Sequence, residues 1–224
     1  RIGSQILTHY PETIQIAKTI TSQEAALDIR QSSTIFIPEL AKDILEQIVF
    51  EARKSEYVDI KSGVSARLSI TAFENLVSTA ERRLLLSGDD KTGIRMSDFT
   101  GIIPAITGKI ELVYEGEQEG AYNVALTLLG NAIKSLYSEF FPKIEKIEKQ
   151  GVETPYDEIV SWFFNNSEDF EILDDISEKN YTSILEKVKP LSEFVLKYQV
   201  GVTPEEVCFW QEFVLWSLVE HKKL

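Results

Sequence analysis

Sulfur, imidazole and positive charge are scarce in this chain of 224 residues, and each scarcity closes off a class of chemistry. Cys208 is the only cysteine, so neither an intrachain disulfide framework nor a cysteine-rich zinc site can form, and an intracellular, cytoplasmic protein is expected. The two histidines, His9 and His221, have no second histidine or cysteine three or four residues away, and no metal or acid–base role is expected of them. Lysine and arginine number 23 against 36 acidic residues, a formal charge of -13 that argues against a duplex nucleic-acid partner. No apolar run approaches the roughly 18 residues of a membrane span, and no charged start followed by an apolar run marks a secretory signal. Missing too are a GxxxxGK[ST] phosphate loop, a dinucleotide fingerprint and a His-Glu metalloprotease helix. The chain starts at Arg1 and its only methionine is Met96, so a piece of a longer protein is expected.

What the chain does contain is helical periodicity without a fixed repeat, and the fold class it predicts is mainly α, a helical bundle. Residues 11–28 read as a helix with a break near Thr21 and Ser22, followed by a polar loop, RQSST. Leu40, Ile44, Ile48 and Val49 predict a helix with Pro38 in its first turn. Leu68, Ala72, Leu76 and Ala80 form a four-residue seam through a long helix flanked by Phe73 and Val77, ended by SGDDKTG. Ser97 and Asp98 can cap the next helix, which Pro104 allows only with a kink or an early stop. Residues 108–120, in which Ile110, Leu112 and Tyr114 alternate, read as an extended or fraying piece. A helix over Ala121–Phe141, with Val124, Leu128, Ile133, Leu136 and Phe140 inward, closes at Pro142. The charged stretch 143–154 predicts a linker, and 155–224 a C-terminal set of helices. There the aromatics Trp162, Phe163, Phe164, Phe209, Trp210 and Trp216 read as core. The acidic run Glu168, Asp169, Glu171, Asp174 and Asp175 lacks calcium-loop spacing and reads as a solvated face, so no metal site is expected.

One short stretch stands apart, SGVSARLSI over residues 62–70. A helix N-terminus presents unsatisfied N–H groups and positive partial charge, which suits a phosphate. Ser62 or Ser65 can cap, Gly63 allows a tight approach, and Arg67 adds a permanently charged fork from the first turn. On local physics alone, a capped helix with a surface arginine explains the same residues.

The longer string YVDIKSGVSARLSITAFENLVSTAERR, with RIGSQILTHYP before it and MSDFTGIIPAITGKIELVYEGE after it, resembles the AAA+ ATPases of the magnesium chelatase ATPase-subunit type and the MoxR-like clade. The resemblance covers Arg1 to about Phe141. It implies that residues 1–10 are the last strand of an ATPase core, that 11–142 form the helical AAA+ lid, and that 155–224 extend it. It implies that Arg67, with Ser65 and Gly63, is the sensor-2 motif that contacts the nucleotide γ-phosphate, and that Arg1 is an arginine finger acting on a neighbouring subunit. ATP and Mg would be cofactors of the intact protein and absent from this piece alone. The implied partners are a homo-oligomeric ring and a protein client or co-chelatase-like subunit, with no nucleic acid and no membrane span. The competing expectation is a non-enzymatic helical interaction module whose acidic C-terminal third binds a basic partner.

Overall fold

The computed structural model describes residues 3–144, 154–166, 170–173 and 175–224. The chain is mainly helical, as its periodicity predicts, with eleven α-helices among the described residues. The central layer is α3 (Glu39–Lys54), α4 (Arg67–Ser87) and α7 (Ala121–Phe140), and the seam residues Leu68, Ala72, Leu76 and Ala80 are all buried in it. Against this layer lie α1 (Ile14–Glu24) and α2 (Ile29–Thr34), then α5 (Ile103–Thr107) and α6 (Tyr114–Glu119). The C-terminal helices α8 (Asp157–Asn166), α9 (Glu178–Glu186), α10 (Lys189–Tyr198) and α11 (Pro204–Glu220) complete the bundle.

Several local expectations are corrected. Helix α1 runs through Thr21, because that threonine is buried and its hydroxyl donates to Glu46 at 2.5 Å. The segment RQSST is helical, closed by a capping box in which the Asp28 carboxylate accepts the Arg30 N–H and the Gln31 side chain accepts the Asp28 N–H. Pro38 sits at the cap position just before α3. Residues 96–102 wind as a 3₁₀ helix that passes into α5 at Ile103, so Pro104 falls in a first turn, where a missing N–H is tolerated. The 108–120 stretch is extended only around Leu112, which bridges Val58 antiparallel, and then turns helical as α6. Two short strands, β1 (Ile35–Phe36) and β2 (Thr92–Gly93), pair in parallel. They had no periodic signal, since two residues carry no alternation.

Among the described residues a hydrophobic cluster extends from Ile35 to Leu218, so α8–α11 pack on the same core as the earlier helices. Its aromatic centre joins α7 to α10 and α11: Tyr137 stacks on Phe141 at 5.1 Å, Phe141 on Phe194 at 5.3 Å, and Phe140 meets Trp210 edge-on at 5.0 Å. Phe209 and Trp210 are buried as expected, while Trp162 and Phe163 form a smaller partly buried group with Phe170. Phe164 departs from the expectation, being 88% exposed on the outer face of α8. No helix among the described residues is long and apolar enough to cross a membrane.

Candidate functional site

The stretch leading into α4 is fastened from three sides. On the first side, Val58 bridges Leu112, the Val113 N–H donates to the Tyr57 carbonyl at 3.1 Å, and the Asp59 N–H donates to the Glu111 carbonyl at 2.8 Å. The loop then turns on Asp59, whose carboxylate accepts the Lys61 N–H at 2.9 Å and the Ser62 hydroxyl at 3.1 Å. Those bonds, the Lys61 N–H foremost, hold this exposed carboxyl below its ordinary pKa. The Ser62 hydroxyl hydrogen is shared between the Asp59 and Glu111 carboxylates, so Ser62 closes the outer lip of the loop and does not cap the helix.

The second fastening comes from α3 and the N-terminal arm. The buried Val64 donates its N–H to the Tyr10 hydroxyl at 3.2 Å, and its carbonyl accepts both Nε and Nη2 of Arg53, at 3.3 and 3.2 Å. The Arg53 guanidinium lies 4.2 Å over the Tyr10 ring, so one cation holds the loop and the arm together. Gly63 takes φ +73°, and a Cβ there would collide with the Tyr10 hydroxyl. Residues 3–10 otherwise carry no helix or strand and are exposed.

The third fastening is buried. Glu46 of α3 accepts the Thr21 hydroxyl from α1 and, at 2.8 Å, the Ser69 hydroxyl from the first turn of α4. Burial raises the pKa of this carboxyl, against the pull of the two hydroxyls and the Arg53 and Lys18 charges.

Arg67 is the first residue of α4 and is exposed. Its N–H donates to the Ser65 hydroxyl at 3.2 Å, so Ser65 satisfies one of the free amides of the helix start, although the cap position itself is Ala66. Among the described residues no ion pair engages the Arg67 guanidinium. The structure therefore brings Gly63, Ser65 and Arg67 together on one fixed turn at the positive end of a 21-residue helix. Such an arrangement can hold an anion by charge and by a planar fork of donors. Arg1 lies outside the described residues, as do Glu168, Asp169 and Asp174 of the acidic run. Among the described residues no group of three or more His, Cys, Asp or Glu is placed to hold a metal ion.

A second polar constellation lies where residues 92–98 meet α9 and α11. Arg83 forks onto Asp98, Nε to Oδ1 at 3.2 Å and Nη2 to Oδ2 at 2.8 Å, and also donates to the Thr92 hydroxyl and the Gly93 carbonyl. The buried Arg95 donates from Nη2 to the Ile176 carbonyl and to Glu178, and stacks 4.0 Å over the Tyr181 ring. Glu212, fully buried, accepts the Met96 N–H and the Tyr181 hydroxyl, each at 2.8 Å. Burial pushes its pKa up to about 7, the two hydrogen bonds and Arg95 opposing and Asp98 reinforcing the shift. The Arg83, Arg95, Asp98 and Glu212 side chains are closed off from solvent and join elements, while Thr92, Gly93 and Glu178 lie at the edge of the constellation, on the lining of an open cleft.

Neither the fastening residues Tyr10, Arg53 and Glu46 nor the buried cluster has a local sequence signature. Arg53 sits in a charged run that reads as surface, and Glu46 has meaning only through Thr21 and Ser69, which lie on other helices. Family models, curated proteins and solved structures were all searched, and none matches this chain.

Proposed function

We propose that this chain is the helical lid, with a C-terminal helical extension, of a cytoplasmic AAA+ ATPase resembling the magnesium chelatase ATPase subunit and the MoxR-like clade. In the intact protein Arg67 acts as the sensor-2 residue, placing its guanidinium on the γ-phosphate of Mg-ATP and linking hydrolysis to lid movement. Arg1 serves as the finger that reaches the nucleotide of the neighbouring subunit in a homo-oligomeric ring. The ring uses hydrolysis to remodel a protein client or to assist metal insertion by a co-chelatase-like subunit.

The observation that carries this reading is the contrast between Arg67 and the turn beneath it. The backbone of the turn is gripped by Tyr10, Arg53 and Glu111, and Ser69 is bound to Glu46. The guanidinium at its tip remains exposed and unengaged among the described residues. A fixed backbone with a free cationic fork is what a charge-sensing contact needs, because little reorganisation is left to be done when the charge arrives.

The test is Arg67→Ala in the intact protein. ATP turnover is expected to fall by about tenfold or more while the circular dichroism spectrum stays unchanged, with Arg67→Lys recovering part of the loss. Unchanged turnover would return Arg67 to a surface residue. The upstream coding sequence is also expected to contain GxxxxGK[ST]; without it, the reading as a non-enzymatic helical interaction module replaces this one.

A further inference from the structure

An open cleft of about 710 Å3 lies between the β1–β2 pair, the end of α2 and the first turns of α9 and α11. That volume is in the range of small-molecule sites. The cleft lies away from the α4 entrance, with no residue of the 59–67 turn on its lining. Its character follows from where the hydroxyl hydrogens go. Ser32 donates to the Asp28 carbonyl at 3.1 Å, and Ser33 and Thr34 both donate to the Arg30 carbonyl, at 2.9 and 2.7 Å. Thr92 donates to Glu178 Oε2 at 2.9 Å. Ser32, Ser33 and Thr34 thus use their hydrogens within the protein and keep lone pairs for whatever occupies the space, whereas Thr92 already accepts Arg83 Nη1 at 2.6 Å and Thr182 accepts the Cys208 thiol.

The carboxylates add to this bias. Glu178 is held by Thr92 and by Arg95 through Oε2 alone, its N–H donates to Asp89 at 2.8 Å, and its side chain is 37% exposed. Oε1 has no hydrogen bond among the described residues, so a positioned acceptor remains for the cleft. Glu205 stands exposed in the first turn of α11. Against these acceptors the lining offers one cation, the exposed Lys91. Ile35, Phe36 and Pro204 supply an apolar wall. The net charge of -13 favours the approach of cations over anions.

We propose that this cleft binds an aliphatic cation, a primary ammonium or guanidinium group carried on a short apolar stem. The charged head donates to Glu178 and to the inward-bonded hydroxyls, and the stem lies on the apolar wall. Such a group exists both as a free small amine and as a lysine or arginine side chain of a partner polypeptide, and the two sources are separable.

Cys208 lies on the same lining and is the only cysteine, so its alkylation by iodoacetamide reports occupancy of this cleft and of no other place. Burial pushes its thiol up to about 11, so the reaction is followed near pH 9. Butylammonium and butylguanidinium, up to about 10 mM, are expected to slow alkylation, whereas butanol and butyrate are not. Glu178→Gln and, on the exposed rim, Glu205→Lys should each weaken the protection about tenfold. The Glu205 variant keeps the test intact if removing Glu178 disturbs the Arg95 cluster. Protection by the free cations assigns a small-molecule amine. Protection only by a capped arginine- or lysine-containing tetrapeptide assigns a side chain of a partner. Absence of protection by either, or protection that both variants leave unchanged, overturns the proposal. The readout needs no nucleotide and is independent of the role of Arg67.

Discussion

Gly63 is glycine for two separate reasons, and a substitution there separates them. Its φ of +73° is a conformation that side chains resist, and the direction in which a Cβ would point is filled by the Tyr10 hydroxyl. Gly63→Ala is expected to cost about 1–2 kcal/mol, seen as a lowered Tm by circular dichroism, and Tyr10→Phe added to it should relieve only the collision. A neutral result would mean that the turn relaxes freely, removing the fixed backbone on which the reading of Arg67 rests. At this scale the sequence was informative where chemistry is local. The glycine, a serine at 62 or 65 that could cap, and a helix with Arg67 in its first turn could be read from SGVSARLSI, though not which serine serves the helix start. Tyr10 and Arg53 could not, because an aromatic in a coil and an arginine in a charged run acquire their roles only when the chain folds back on itself.

Among elements, length decided what could be read. Helices α3, α4 and α7 each present several turns of buried residues, enough for a periodic stripe to emerge. The six-residue helices α2 and α6 and the two-residue strands fall below that length, and tertiary contacts make them. For α2 one signal was present, the Asp28–Gln31 capping box. The junction of residues 95–98 with α9 and α11 makes a pH-dependent prediction. Glu212, ordinarily near 4.5, titrates near 7 when folded, so the folded protein holds a proton there that the unfolded chain has released. Stability from this group is therefore greatest below pH 4.5 and declines as the pH rises to about 7, by at most about 3 kcal/mol. Glu212→Gln keeps an uncharged acceptor for Met96 and Tyr181. Thermal unfolding should show its Tm gaining on the parent between pH 5 and pH 8; parallel curves would place the titration elsewhere.

For the molecule as a whole, the charged stretch 143–154 suggests a place where two units part; residues 145–153 of it lie outside the described residues, and a common core lies on both sides of them. The sequence could not disclose this, because buried aromatics look alike whether they pack within a unit or across one. Phe213 is fully buried beside Tyr137 at 5.9 Å, so Phe213→Ala is expected to cost about 3–5 kcal/mol. Urea unfolding followed by far-ultraviolet circular dichroism and by tryptophan fluorescence should shift together; two separate midpoints would show that the C-terminal helices unfold by themselves. The buried Arg95–Glu212 junction bears also on the order in which the chain assembles. Residues 95 and 96 reach partners 81 to 116 positions later, whereas the α3–α4 pairing closes over a short loop. Closing the longer loops costs more chain entropy, so the junction forms after the early helices have met. All three tryptophans, Trp162, Trp210 and Trp216, belong to the late-arriving segment. Their emission during refolding is thus a clock set to the final closure, silent about the steps before it.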